Sequence, residues 1–112
     1  MAIAHGATGT PQFWNTAIGP AITLPAHAAG DMILLLAGTK SSTATQTVTT
    51  GTGWTQTGDY KDTFVAPGVE VGSMKTTQFW KEATSGAETS PVITNSASPS
   101  CFGVIPMVFT KG

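Results

Sequence analysis

The sequence predicts an all-β fold, a two-sheet antiparallel β-sandwich of about seven or eight strands. Three observations carry that prediction. Short strand-like runs recur at roughly 8–12-residue spacing, separated by turn signals. No segment sustains a 3.6-residue apolar period or a coiled-coil heptad. Twenty of the 112 residues are threonine, whose β-branch suits a pleated, half-exposed surface.

Residues 1–16 are punctuated by Gly6, Gly9 and Pro11 and then carry Phe13-Trp14. They form either an N-terminal arm or a first strand, and residues 17–112 form the sandwich. Ala17 to Leu24 reads as a strand, with Ile18, Ile22 and Leu24 apolar around Thr23. Pro20 cannot donate to a ladder, so it belongs at an edge or a bulge. Pro25 to Asp31 is a turn that closes on Gly30-Asp31.

Met32 to Ala37 is the most apolar run in the chain. It is far short of the ~20 residues that span a bilayer. It is bounded by Gly30 and Gly38, and no helix-starting signal leads into it. With no polar residue at alternate positions, it reads as a strand covered on both faces, or central in the sandwich. Leu34 and Leu36 are its predicted core anchors.

Thr43 to Thr50 alternates weakly and reads as a short exposed strand. Gly51-Thr-Gly-Trp54 is a turn whose tryptophan should plug one end of the sandwich. Residues 55–68 read as a loop, because Gly58-Asp59, Lys61-Asp62 and Pro67-Gly68 are turn signals. A longer strand occupies 69–83. Its adjacent Phe79 and Trp80 must point to opposite faces, one to the core and one outward. Trp54 and Phe79 complete the core anchors. A turn over 84–91, a short strand over 92–94 and a turn over 96–100 follow. Cys101 to Thr110 is the last strand; Pro106 within it again implies an edge or a bulge.

One domain accounts for a chain of this length. Five lysines, no arginine and six acids give a net charge of −1, and charged residues make up 10% of the chain against a typical ~25%. Direct DNA or RNA binding needs clustered cations that this chain does not have. A surface rich in threonine and serine tolerates close packing against copies of itself or a partner. One cysteine excludes an intrachain disulfide. No secretory signal and no membrane span are read.

Catalytic chemistry finds little to work with. His27 and Asp31 share one turn, but no nucleophile motif accompanies them, and they read as surface turn residues. His5 and His27 are twenty-two residues apart with no ligand spacing around them. Asp59, Asp62 and Glu70 read as a solvated acidic region rather than a calcium loop. Gly51-Thr-Gly53 lacks the rest of a phosphate-binding loop. Cys101 reads as a small buried hydrophobe. The expectation is therefore no enzyme, no cofactor and no metal. The aromatics carry more weight, because exposed ones anchor protein interfaces or stack on sugars.

Three features occur in order along residues 17–112. Ile22-Thr-Leu-Pro25 leads through Ala29-Gly30-Asp31 into Met32-Ile-Leu-Leu-Leu36. Gly53-Trp54-Thr55 follows a threonine-rich stretch. Gln78-Phe-Trp-Lys-Glu-Ala-Thr84 runs into a Gly86-Ala-Glu88 turn, and the chain closes on Phe109-Thr-Lys-Gly112. This layout resembles the small β-sandwich domains, jelly-roll or immunoglobulin-like, of tailed-bacteriophage virion proteins. The family pattern often closes with aromatic-Arg-Gly, where this chain has Thr110-Lys111-Gly112.

The resemblance implies a capsid decoration protein on the virion exterior, made in the host cytoplasm. It implies the major capsid protein as partner and self-association, with a trimer favoured because shells offer local symmetry axes. It involves no nucleic acid and no membrane directly. A tail or fibre module that binds a host receptor or glycan is the alternative. Interface candidates are His5, Phe13 and Trp14, Tyr60 and Phe64 of the 58–68 loop, and Trp80.

Overall fold

The computed structural model describes residues 2–41, 48–65 and 71–111, and gives the backbone alone at 41, 58–65 and 71–73. The described residues form nine strands and no helix. They are β1 (Ile3–Thr8), β2 (Gln12–Trp14), β3 (Ile18–Ala21), β4 (Met32–Ser41), β5 (Val48–Thr49), β6 (Thr55–Val65), β7 (Val71–Glu82), β8 (Val92–Asn95) and β9 (Cys101–Lys111). Two antiparallel sheets result. The larger runs β1-β9-β4-β7-β6, with β2 also paired to β9, and the smaller runs β3-β8-β5. Pairing is nested along the chain: β1 with β9, β3 with β8, β4 with β7.

The core lies between the sheets. From the larger sheet come Ile33, Leu35 and Ala37 of β4, Phe79 of β7, and Phe102, Val104 and Val108 of β9. From the other side come Ile22, Val48 and Ile93. Leu24 and Trp54 are half-buried and pack on both parts of this core. Each fully covered large side chain stabilises the fold by roughly 1.5–3 kcal/mol. The shortest dimension of the molecule is 21 Å, room for two sheets about 10 Å apart with their side chains, and for no third layer.

Local chemistry sets the details. Gly30 (φ 88°) and Gly53 (φ 91°) take left-handed backbone at turns, where a side chain would be strained. Pro20 lies in edge strand β3, within an irregular register between Ile18 and Ala21.

Pro106 is neither at an edge nor in a bulge: β9 lies between β4 and the β1/β2 pair. Its carbonyl accepts the Gly9 N–H at 2.8 Å, so its missing N–H falls on the same side. That side is the gap after β1 ends at Thr8↔Met107 and before β2 begins at Gln12↔Val104. The proline fits an inner strand because its neighbour is interrupted there.

One other expectation is corrected. Residues 55–65 are not a loop: β6 runs from Thr55 through Val65 and pairs with β7, and residues 66–68 of the expected loop lie outside the described residues. Gly58-Asp59 produces a register shift between Thr57 and Asp59 instead of a chain reversal. Of the two alternatives for the N-terminal segment, its described residues form strands, since β1 and β2 both pair with β9. The expected strand over 43–50 is described only at Val48–Thr49, and residues 42–47 lie outside the described residues.

Candidate functional site

Among the described residues, the polar side chains of His27, Asp31, Lys81 and Glu88 hold turns, while those of Asp59, Asp62 and Glu70 lie outside the described residues. The Glu88 N–H donates to His27 Nε2 at 3.2 Å, so Nδ1 carries the ring proton and donates to the Pro25 carbonyl at 2.7 Å. Asp31 accepts the Ala28 N–H at 2.8 Å. The Gly30 N–H donates to the Ala83 carbonyl at 2.7 Å, and the Ala83 N–H donates to the Asp31 carbonyl at 2.8 Å. Glu88 accepts Lys81 Nζ at 2.5 Å, the Thr84 hydroxyl at 2.8 Å and the Thr84 N–H. The Lys81 ammonium, then the Thr84 donors, hold the Glu88 carboxyl down at about 2. His27 and Asp31 thus belong to a brace that ties the 25–31 turn to the 84–88 turn. Neither is aimed at a nucleophile. Among the described residues no group of three or more His, Cys, Asp or Glu is placed to hold a metal.

The outer face of the larger sheet is a different kind of surface. An antiparallel sheet with one wet face normally alternates apolar and polar residues. Here the outward positions of β4 are Met32, Leu34, Leu36, Gly38 and Lys40, and those of β9 run from Cys101 and Gly103 through Ile105, Met107 and Phe109 to Lys111, so the middle of the face is apolar. Register places them in rows. Leu34 lies between Trp80 and Met107, and Leu36 between Gln78 and Ile105. Gly38 lies between Thr76 and Gly103. Ile105 is 38% exposed, Met74 42% and Phe13 78%.

Two adjacent glycines make a depression in this face. A Cβ on Gly103 would meet the Phe13 ring at 2.9 Å, so Phe13 lies over that backbone. A Cβ on Gly38 would meet nothing within 4 Å. The result is an open groove of about 820 Å³ bordered by Phe13, Leu36, Met74, Thr76, Gln78 and Ile105. A smaller hollow of about 160 Å³ lies at the far end, beside Trp80, Met32 and Phe109.

The residues singled out from sequence divide between the two faces. Phe79 is buried, and its neighbour Trp80 is half-buried in the outer rows. Trp54 is half-buried against the core. Leu34 and Leu36 are not core residues; Ile33 and Leu35 fill the inward positions, and the two leucines face out.

Trp14 turns inward and is half-buried, its ring stacked on buried Phe102 at 4.3 Å. Phe13, one position earlier, points out. His5 is exposed, with Nε2 2.8 Å from the Thr8 hydroxyl and its ring edge-on to Phe109 at 5.9 Å. Tyr60 and Phe64 lie in β6, and their side chains fall outside the described residues. Cys101 is exposed, not buried. The inward positions of β9 are the even-numbered ones from Phe102 to Val108, so Cys101 opens the outward set.

Gly38, Met74, Gly103 and Ile105 are the surface residues that sequence reasoning missed. The available signal was the apolar character of both alternating sets in β9. No family model, no curated protein and no solved structure matches this chain.

Proposed function

We propose that this chain is a structural virion protein of a tailed bacteriophage, a capsid decoration protein that binds the outer shell and stabilises it. The observation that carries the reading is the apolar face of the larger sheet, which no described residue outside that sheet covers. An exposed patch of this kind marks a surface meant for a partner. The nested pairing of β1 with β9, β3 with β8 and β4 with β7 supports it, since a jelly roll, an architecture that recurs in viral capsid and lectin domains, nests its outer pairs in this way, although here β6 joins β7 in the larger sheet. The sparse charge and the chemistry spent on turn bracing fit a protein that contributes area and rigidity rather than catalysis.

In this role the chain bridges neighbouring subunits of the major capsid protein and adds buried surface across joints that internal pressure would open. Purified protein added to shells stripped of it should rebind and raise their melting temperature. Shells that neither bind it nor melt higher would refute the role.

The groove beside Phe13 favours one second reading, a tail or fibre module. The Phe13 ring on one side of the groove and Thr76 and Gln78 on the other offer a stacking surface and hydrogen-bonding groups to a sugar. Binding on a glycan array together with no binding to shells would select that reading.

A further inference from the structure

We propose that a second copy of this chain covers the outer face, packed about a two-fold axis that runs across the strands along the Ile105–Leu36–Gln78 row. This rests on the reading of that face as an assembly surface, and it names the occupant.

Area is the first argument. The ten residues of β4 span roughly 33 Å, and five strands span roughly 24 Å, a face of about 800 Å². That is what each partner contributes to a stable interface of standard size. A sheet face also packs readily on another sheet face at about 10 Å, as in any sandwich. A self-complementary patch closes two-fold, whereas a three-fold ring needs two different patches.

Shape is the second argument. The axis is taken through the middle row because the outward positions of β4 run from Met32 to Lys40 with Leu36 at their centre. Rotation about it keeps each strand over its own copy and reverses its direction. Leu36 then meets Leu36 and Ile105 meets Ile105. Gln78 meets Gln78, where two amides can exchange hydrogen bonds. One row away, Gly38 comes opposite Leu34 and Gly103 opposite Met107. Gly38, with open space above it, receives Leu34 of the other copy, whereas Gly103 is covered by the Phe13 ring, so Met107 of the other copy packs on that ring. Two rows away, Lys40 faces Met32, whose strand neighbour is the acidic Glu82.

The test is a substitution that makes the face more apolar while spoiling the fit. Wild-type protein should sediment as a dimer, at twice the 11.5 kDa of the chain. Gly38→Leu places a side chain where the free protein has open space, so its melting temperature as a dilute monomer should not fall. In the dimer it collides with Leu34 of the other copy and should weaken association by about tenfold or more, roughly 1.4 kcal/mol or more. Leu34→Ala added to Gly38→Leu should restore much of the affinity.

A wild-type monomer, a trimer, or a dimer that Gly38→Leu leaves equal or tighter would overturn the proposal. Shell binding by a monomer that Gly38→Leu abolishes would give the face to the shell, overturning this inference and leaving the virion reading intact. A dimer with the predicted sensitivity that ignores shells does the reverse.

Discussion

Leu35 and Leu36 are neighbours in one strand with the same side chain, yet one is wholly buried and the other is not. The two faces of the larger sheet differ in the same way. Both are apolar in β4 and β9, but the smaller sheet covers only one of them. Hydrophobic free energy follows area removed from water and not composition. The inner face therefore holds the fold, and the outer face holds binding free energy that the isolated chain does not use. Changes on the inner face should register as stability, and changes on the outer face as association.

The sharpest test pairs one substitution from each face. Phe79→Ala removes a ring that is 2% exposed at the centre of the inner face. It should cost about 3–5 kcal/mol in urea unfolding, from lost transfer and the cavity left behind. Leu36→Ala, measured on dilute monomer, should cost less, about 1–2 kcal/mol, because part of its side chain is already in water. Equal losses would erase the distinction between the faces.

A smaller effect comes from a glycine on the inner side. A Cβ on Gly19 would lie 2.4 Å from two ring atoms of Trp14. Gly19→Ala must displace the indole from its stack on Phe102, an overpacking cost of about 1–3 kcal/mol. The denaturation midpoint and the tryptophan emission should move together. A shifted midpoint with unchanged emission would mean that Trp14 is not the residue displaced.

These particulars show which parts of the fold could be read from sequence. The strand at Met32 was legible because six apolar residues between glycines leave little else. Its phase was not. When odd and even positions are equally apolar, alternation cannot say which set faces inward, and Leu34 and Leu36 were taken for the core. Phase is set by partners distant in sequence, through Ile93 and Val48 of the smaller sheet. Cys101 was misplaced for the same reason. The strand β6 was hidden because Gly58-Asp59 and Lys61-Asp62 look like turns, and a register shift absorbs the first of them. On the candidate site, Phe13 and Trp80 stood out as aromatics. The depression did not, because Gly38 and Gly103 meet only through the β4–β9 pairing.

The brace at the rim separates from both faces by pH. Glu88 has its carboxyl lowered from 4.5 to about 2 in the folded chain, chiefly by Lys81. A depressed folded value means that the carboxylate contributes stability above pH 4.5 and loses it as the pH falls towards 2. Wild-type melting temperature should therefore fall more steeply than that of Glu88→Gln between these limits. Parallel curves would show that the ion pair and the Thr84 donors contribute nothing net. Sedimentation of the two proteins at neutral pH should be the same, because the brace lies outside the proposed dimer contact.

The smallest effect is expected at Gly38, and its size is the point. The position has open space above it and a backbone outside the left-handed region. Gly38→Ala should therefore stabilise the dilute monomer slightly, by about 0.4–1 kcal/mol, since alanine has less conformational freedom to lose on folding. Gly19→Ala has the opposite sign although the substitution is identical. One glycine is required because a ring already occupies the space of its missing side chain. The other is free within the single chain, so any constraint on it must come from a second molecule. A clear destabilisation by Gly38→Ala in the monomer would mean that the depression is already filled within one chain, and the outer face would no longer stand apart from the inner.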